Sequence, residues 1–456
     1  MKSTLYLADT LVTMNPSNKI LSAGAVLVEG QVISAIGPAD TLVSQHPQAK
    51  VVRLENCLLM PGLVNTHCHS GLLRGTAEGL PVWDWLQQFI DPMHRVLKPA
   101  EAELASRLCY AEALLSGTTT IVDMWRYMHG SAAAARDLGI RTVLVPYVAE
   151  HPDHDYFETL DSNEALINQW QGEAQGRINV WVGLEHLFYA QPEALQRICD
   201  LCRDYQVGFH THSNESRFDV EKTLARYAAR PIQVLEDIGL LDTPQTLLAN
   251  CVWLDDLEID ILKNHGVGVA HNPISNMKLA SGAARVADML AQNIAVGLGT
   301  DGEKENNNLD MFEEMKTASL LAKLSAENAA ALDSWDVCRM ATIDGARALG
   351  LDCTIGSLEV GKQADIIAVR TDTPRMTPHI GQGKYLNLHH NLVHAVQGGD
   401  VAMTMVAGNV LVANGHLQTA NLGKIMGEAT TAIVPLLERR DQWIATSGVA
   451  VNELDQ

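Results

Sequence analysis

The sequence predicts an α/β protein in which a (β/α)8 TIM barrel carries a small β-sandwich domain formed from both chain ends. Between residues 60 and 350, strand-like apolar runs alternate with amphipathic helical stretches. Short apolar and polar runs broken by turns occupy residues 1–59, and the same texture returns at 363–415. Successive βα units are typical of a closed barrel, whose chemistry lies at the carboxyl ends of its strands.

The chain divides where these patterns change. Residues 1–59 are predicted to form the N-terminal part of the sandwich, 60–360 the barrel, 361–425 the C-terminal part of the sandwich and 426–456 a C-terminal helix. At 456 residues the chain exceeds the ~250–300 residues at which single hydrophobic cores stop growing. Because each half-sheet needs a partner for its apolar face, one sandwich built from both ends is expected.

Eight strand candidates account for the barrel. They are 63–64, 119–123, 141–145, 179–183, 207–210, 246–249, 266–270 and 294–298. An open doubly wound sheet is the alternative architecture, but it requires a glycine-rich phosphate loop after its first strand, and the sequence has none there.

Composition limits the partners and the location. The chain has 33 basic and 54 acidic residues, and this acidic balance repels phosphate backbones, so we expect no nucleic-acid partner. No window offers ~18 uninterrupted apolar residues, and the first residues lack the pattern of a signal peptide. We therefore expect a cytoplasmic protein that does not associate with membranes, is a homo-oligomer and binds a small-molecule heterocyclic substrate.

The run from Pro61 to His69 ends in His67-Cys68-His69 after a strand-like segment. Side chains on a strand alternate between its faces, so His67 and His69 point the same way and can share one cation. Two histidines packed in a barrel wall are the alternative reading of this motif alone. His212 and Asp301 also follow apolar runs, and three histidines with one carboxylate suit a hydrolytic zinc or iron ion.

Five motifs occur in order over nearly the whole chain. They are Pro61-Gly62-Leu63-Val64-Asn65-Thr66-His67-Cys68-His69, His212-x-x-Glu215, His271-Asn272-Pro273-x-Ser275-Asn276-x-Lys278-Leu279, Gly299-Thr300-Asp301-Gly302 and Gly361-Lys362-x-Ala364-Asp365. Together they resemble the motifs of the amidohydrolase superfamily, in its branch of aromatic deaminases and triazine hydrolases. The resemblance implies an enzyme, an aminohydrolase that acts on C–N bonds of cyclic amidines.

The resemblance also assigns roles. It implies one divalent ion, with zinc preferred and iron the alternative, held by His67, His69, His212 and Asp301. No lysine stands at a strand end where relatives with two metals carry a bridging lysine. Asp301 would receive a proton from the water that the ion activates. Glu215 would protonate a ring nitrogen beside the attacked carbon and pass a proton to the leaving amine; a solvated loop carboxylate is the alternative reading of Glu215.

Several positions depart from the pattern of the family. Asn250 stands where deaminases carry a histidine at the end of the sixth strand, and the histidine at the end of the fourth strand aligns with Glu185 or, after a shift of one residue, with His186. His94, which follows Trp85-Leu86, stands where nucleoside deaminases have a ribose-binding glutamate. The arginines that bind a homocysteine tail have no match in the sequence.

These departures lead to a prediction about the substrate. A buried Glu185 carboxylate needs hydrogen-bond donors, and adjacent N–H groups of a guanidine-like ring would supply them. We predict hydrolytic deamination of an isocytosine-, aminotriazine- or creatinine-like ring, bound by Glu185, His186, Asn250, Trp85 and His94. A deaminase of methylthioadenosine, S-adenosylhomocysteine or adenosine and an s-triazine chlorohydrolase are the alternative enzymes, and a catalytically silent binding protein on this scaffold is the alternative outside catalysis.

Overall fold

The computed structural model describes residues 3–447, in which strands come first from the N-terminal end, then from the barrel, then from the C-terminal end. The N-terminal strands are β1 (Ser3–Val12), β2 (Ile20–Glu29), β3 (Val32–Pro38) and β4 (Lys50–Pro61). The barrel strands are β5 (Leu63–Cys68), β6 (Thr118–Trp125), β7 (Arg141–Pro146), β8 (Ile178–Val180), β9 (Val182–His186), β10 (Phe209–Ser213), β11 (Thr246–Asn250), β12 (Gly268–His271) and β13 (Ala295–Leu298). The last strands are β14 (Ile366–Arg370), β15 (Val401–Val406), β16 (Asn409–Ala413) and β17 (His416–Leu417).

The strands β5 to β13 form a parallel barrel. Strands β8 and β9 are separated only by Trp181 and together form the fourth of the eight barrel strands. All eight strand candidates are therefore present. Closure brings β13 against β5, where the Thr66 hydroxyl donates to the Leu298 carbonyl at 2.9 Å and the Asp301 amide donates to the His67 carbonyl at 3.0 Å. Residues of β5, β6 and β7 are buried on both faces, as parallel strands covered by helices must be.

Both chain ends contribute to one antiparallel and parallel sheet of eight strands. Its order is β17-β16-β15-β14-β4-β1-β2-β3, and β4 joins the two ends by pairing with β14. Side chains from both ends, such as Tyr6, Val26, Ile366 and Met405, share one apolar core on this sheet. The predicted fold class is thus confirmed, with the two half-sheets joined by backbone hydrogen bonds into one sheet.

Helices cover the outside of the barrel and connect its strands. Their bounds are Ala39–Gln45, Val82–Trp85, Asp91–Val96, Pro99–Leu115, Met128–Leu138, Leu160–Trp170, Pro192–Tyr205, Arg217–Tyr227, Pro231–Ile238, Asp256–His265, Pro273–Lys278, Val286–Ala291, Glu303–Asn306, Met311–Ser325, Ser334–Met340, Ile343–Ala348, Leu388–His394 and Leu422–Ser447. A π-helical turn spans Leu86–Ile90, 3₁₀ turns span Pro152–His154, Leu187–Tyr189, Pro374–Met376 and Gly398–Asp400, and Glu173–Gly176 is a left-handed turn. In the described part of the chain, no helix has the length and apolarity that crossing a membrane requires.

The C-terminal helix Leu422–Ser447 packs on the barrel. Leu436 is fully buried, and Arg439 Nη2 lies 2.6 Å from Glu101 Oε1 on the helix Pro99–Leu115. Residues 448–456 of the predicted helix 426–456 lie outside the described residues, as do residues 1–2 of the predicted N-terminal part.

Candidate metal and catalytic site

Three histidines meet at the carboxyl ends of barrel strands. His67 lies in β5, His69 directly follows it, and His212 lies near the end of β10. One ring nitrogen of each lies within 4.8 Å of the other two, close enough for the three to hold one ion. Asp301 Oδ1, from the residues after β13, lies 3.5 Å from His67 Nε2 and 3.3 Å from His69 Nε2. The structure therefore brings together the four residues that the motifs group as metal ligands.

Hydrogen bonds behind the histidines orient their rings. His69 Nδ1 lies 2.6 Å from the Met124 carbonyl, and His212 Nδ1 lies 2.9 Å from the Glu185 carbonyl. A carbonyl only accepts, so each Nδ1 carries the proton and each Nε2 keeps its lone pair for an ion.

His67 is oriented by a histidine that the sequence analysis did not assign to the site. Its Nδ1 lies 2.8 Å from His210 Nε2, and His210 Nδ1 in turn lies 2.9 Å from the Leu247 carbonyl. His67 Nε2 is buried without a protein partner, which fits a nitrogen that binds a metal. Because His210 and His212 alternate on one strand, their shared face was the signal that could have identified His210.

Charge and burial favour the ligand forms of these groups. Burial, followed by the nearby His67, lowers the pKa of His69 well below its usual value, and the same two causes lower the pKa of His212 to about 3. Burial alone would raise the pKa of Asp301, but its close contact with His67 Nε2 outweighs burial and lowers it. Neutral imidazoles and an ionised carboxylate are the states that bind a divalent ion.

Asp301 is held in a defined orientation. Its backbone has a φ of 58°, a left-handed conformation that aspartate tolerates better than most residues. The Ser275 hydroxyl donates to Asp301 Oδ2 at 2.7 Å, and the Gly302 amide donates to Oδ1 at 2.9 Å. These bonds leave one edge of the carboxylate toward the histidines.

Glu215 lines the same cavity as His69, His212 and Asp301. It is 5% exposed, its Oε1 accepts a hydrogen bond from the Ser281 hydroxyl at 3.3 Å, and burial raises its pKa well above the usual value, with Asp219 and Asp301 adding to the shift. A buried carboxyl group with a raised pKa beside a metal site is suited to protonating a bound ring. The surface-carboxylate reading of Glu215 does not fit its burial.

The cavity has one apolar wall and one polar wall, and its free volume is about 20 Å³. Val82, Trp85, Leu86 and Leu279 form the apolar side, and the Trp85 indole N–H is satisfied by the Ala77 carbonyl at 3.0 Å. Such an arrangement is typical of pockets for flat nitrogen heterocycles, which stack on an aromatic face and bond through their edge.

Glu185 and His186 both reach the polar wall. The Tyr147 hydroxyl donates to Glu185 Oε1 at 3.1 Å, and His186 Nδ1 lies 2.5 Å from Oε2. Burial raises the pKa of Glu185 to about 7 and lowers that of His186 to about 4. The protein itself therefore supplies the donors that Glu185 needs, which removes the reason for expecting them from the substrate. His186 Nε2 has no protein partner and remains available.

Asn250 and His94 lie outside the lining of this cavity. Asn250 Oδ1 accepts from Asn272 Nδ2 at 2.9 Å and from Asn276 Nδ2 at 3.0 Å, whereas its own Nδ2 is buried without a partner. His94 stacks on the Tyr147 ring with centroids 5.2 Å apart, so Tyr147 lies between it and the polar wall. Of the five predicted substrate contacts, the structure thus brings Glu185, His186 and Trp85 to the cavity, but not Asn250 or His94.

The barrel and its histidine cluster define the class of proteins that hold a metal ion at the carboxyl ends of eight parallel strands. The model of the amidohydrolase family matches residues 58–411, and that of an imidazolonepropionase-like composite domain from bacteria matches residues 24–49. The chain belongs to the amidohydrolase family. It is a hydrolase that acts on C–N bonds, as its named relatives are.

Among the curated relatives, the 5'-deoxyadenosine deaminase of Methanobrevibacter smithii is 37% identical over 446 residues, which cover 96% of this chain and 99% of that protein. The 5-methylthioadenosine/S-adenosylhomocysteine deaminase of Caldanaerobacter subterraneus subsp. tengcongensis is 37% identical over 414 residues, or 90% and 93% of the two chains. A crystal structure of an adenosine deaminase from Xanthomonas campestris with bound zinc superposes with a TM-score of 0.88 at 29% identity, covering 96% of this chain and 99% of that one.

Proposed function

We propose that the protein removes the exocyclic amino group of an adenine nucleoside modified at its 5' position, with release of ammonia, and that the ion it uses is zinc. The observation that carries this proposal is near-full-length similarity to deaminases named for 5'-deoxyadenosine and methylthioadenosine. The prediction of a guanidine-like ring depended on Glu185, whose hydrogen-bond needs Tyr147 and His186 meet.

The residues of the chain divide the work. His67, His69, His212 and Asp301 would hold the ion, and His210 fixes the orientation of His67. In this arrangement a bound ion would lower the pKa of a water molecule and so provide the nucleophile. Asp301 would accept the proton of that water.

On the substrate side, Glu215 would donate a proton to the ring nitrogen beside the attacked carbon, which makes that carbon more electrophilic. Trp85 offers an aromatic face for the base, and His186 Nε2 offers a hydrogen-bonding atom at its edge. Asn250, through its unpartnered amide, is a weaker candidate for a donor to the developing oxyanion.

A small ring without ribose is the second candidate substrate. Two observations favour it. The free volume of the cavity is about 20 Å³, far below the ~300–1,000 Å³ of ligand pockets, so a smaller ligand requires less opening. His94, at the position of the ribose-binding glutamate, stacks on Tyr147.

The test is a comparison of kcat/KM in an ammonia-coupled assay. We expect 5'-deoxyadenosine and methylthioadenosine to exceed isocytosine and an aminotriazine by about 10²-fold or more, since the remote contacts of a larger substrate contribute to its turnover. Enzyme treated with a chelator and then reloaded with zinc or iron serves as the control. A preference for isocytosine or aminotriazine over both nucleosides would favour the second candidate, and chloride release from a chlorotriazine without ammonia release from any substrate would refute deamination.

A further inference from the structure

A buried lysine and glutamate adjoin the metal cluster on the side of Asp301. We propose that Glu305, held by Lys304, accepts the N–H hydrogens of the amine that leaves the substrate and thereby selects amines over other leaving groups. The inference rests on the proposed deamination, to which it adds a residue that determines the choice of leaving group.

The geometry places Glu305 at the reacting centre. One of its carboxylate oxygens lies within 4.8 Å of ligand atoms of His69 and Asp301, and Glu305 lines the same cavity as Glu215 and Trp85. Glu215 follows β10 whereas Glu305 follows β13, so the two carboxyl groups approach the cavity from different sides of the barrel mouth. While Glu215 protonates one edge of a substrate ring, Glu305 could therefore accept hydrogen bonds from another edge of the same ring.

Lys304 fixes the carboxylate in this position. Its Nζ lies 2.9 Å from Glu305 Oε1 and 3.2 Å from Oε2, and the rings of Trp85 and Trp125 lie 6.0 Å and 5.7 Å from the ammonium. Gly302 makes this packing possible, since a Cβ at that position would lie 2.1 Å from Glu305 Oε2. Lys304 and Glu305 are 2% and 5% exposed.

Burial of this pair requires an explanation other than stability. Two charges lose their hydration, and their attraction often does no more than offset that loss, so a pair of apolar side chains would serve packing equally well. Charged groups with this cost concentrate at functional sites. Glu305 lines the cavity, whereas Lys304 supports it from outside the lining, which indicates a role of the carboxylate toward the substrate.

The chemistry of the two groups points to an amine. An ionised carboxylate has about four acceptor sites and no donor, and Lys304 occupies only part of them. An amino group has hydrogens to donate, whereas chloride and methoxide have none and are repelled by the carboxylate. Glu305 would thus favour ammonia as the leaving group over chloride on an otherwise identical ring.

The experiment compares Glu305→Gln with wild type on matched pairs of substrates. The pairs are a 6-aminopurine nucleoside with its 6-chloro analogue and an aminotriazine with the corresponding chlorotriazine. We expect kcat/KM for the amino member to fall about 10- to 100-fold, as for the loss of a charged hydrogen bond, and that for the chloro member to change less than about threefold. Glu303→Gln is the matched control: Glu303 is also buried and in the same helix, but it accepts from the Leu73 amide at 2.9 Å and does not line the cavity.

The other outcomes either contradict the inference or separate it from the proposed function. Equal losses on both members of a pair would mean a structural role, and loss of the ion from Glu305→Gln would make Glu305 a metal ligand. If only the triazine pair is turned over, the proposed nucleoside substrate fails while the ratio within that pair still tests Glu305. If wild type releases ammonia from neither amino member, both proposals fail. Should Glu305→Gln not fold, Glu305→Asp, which keeps the charge but withdraws the oxygens, must lower the amino-to-chloro ratio in the same direction.

Discussion

The barrel mouth and the eight-stranded sheet differ in whether their buried polar atoms have hydrogen-bond partners within the protein. At the mouth, His67 Nε2, His186 Nε2 and Asn250 Nδ2 are buried without partners. In the part of the chain that the structure describes, none of the buried unpaired side-chain atoms belongs to a strand of the sheet. Because an unpaired buried group costs about 1–3 kcal/mol, the three unpaired nitrogens beside the histidine cluster fit a site that a ligand completes.

The largest expected effect is at the mouth. His67→Ala should remove the ion and lower kcat/KM by at least ~10³-fold, since a catalytic ion contributes several kcal/mol to transition-state stabilisation. The free energy of unfolding measured without metal should fall by only about 1–3 kcal/mol, because truncation leaves His210 Nε2 buried without its His67 partner. Metal analysis and ammonia release measure the first effect, and urea unfolding measures the second. Full activity in a His67→Ala variant free of metal would contradict the assignment of the barrel mouth as a metal site.

The opposite profile is expected where the sheet meets the barrel. Arg141 of β7 donates to both carboxylate oxygens of Asp365, at 2.9 and 3.1 Å, and the Ala407 amide donates to Oδ1 at 2.7 Å. Arg141→Met leaves a buried carboxylate without its counter-charge, so we expect a loss of about 3–5 kcal/mol in unfolding free energy.

The folded fraction of Arg141→Met should keep its kcat. Arg136→Met is the control, because Arg136 pairs with Asp137 on the exposed surface, and we expect less than about 1 kcal/mol there. A lowered kcat in the folded fraction of Arg141→Met would show that the junction between sheet and barrel affects the catalytic site.

The next smaller effect is expected for Glu215→Gln. It keeps the shape and the Ser281 contact but removes the transferable proton, so kcat should fall by ~10²-fold or more at unchanged metal content. Normal turnover in this variant would mean that another group protonates the ring.

The two regions also differ in how far the sequence predicts them. The barrel strands are visible because parallel strands buried on both faces read as apolar runs, and His67, His69, His212 and Asp301 are visible because they follow such runs in a known order of motifs. The strands of the sheet are predictable from their alternating runs. The pairing of β4 with β14 is not, because it joins residues that are distant in the sequence, such as Leu59 and Ala368.

Contacts made by loop residues are not predictable in the same way. The Tyr147 bond to Glu185 and the Ser281 bond to Glu215 each have a donor outside the helices and strands, where no periodicity encodes the conformation. As a result, the sequence placed Glu185 among the substrate contacts without revealing that the protein already satisfies it. His94 was assigned by alignment with a ribose-binding residue, and its stacking on Tyr147 follows from packing alone.

The smallest expected effect concerns His265 and its carboxylate partners on the outside of the barrel. Their contribution to stability should be much smaller than that of the buried Arg141–Asp365 pair. His265, at the end of the helix Asp256–His265, lies 3.0 Å from Glu236 Oε1 and 2.8 Å from Asp242 Oδ1. Burial acts to lower the pKa of His265, but the hydrogen bonds to the two carboxylates outweigh it and raise the pKa. The folded protein therefore binds this proton more tightly than the unfolded chain does.

The sign of the pH dependence follows from linkage. The contribution of His265 is fully present below its unfolded pKa of ~6.5 and is lost as pH rises through the higher folded value. Wild type should exceed His265→Gln in unfolding free energy by less than about 1 kcal/mol at pH ~5.5, with the difference gone by pH ~9, because both carboxylate partners are exposed to solvent. Urea unfolding of both proteins across this range measures it, and added salt should shrink the difference further. A gap that is constant with pH would assign the effect to packing of the ring, and a gap as large as that of Arg141→Met would remove the distinction between buried and exposed pairs.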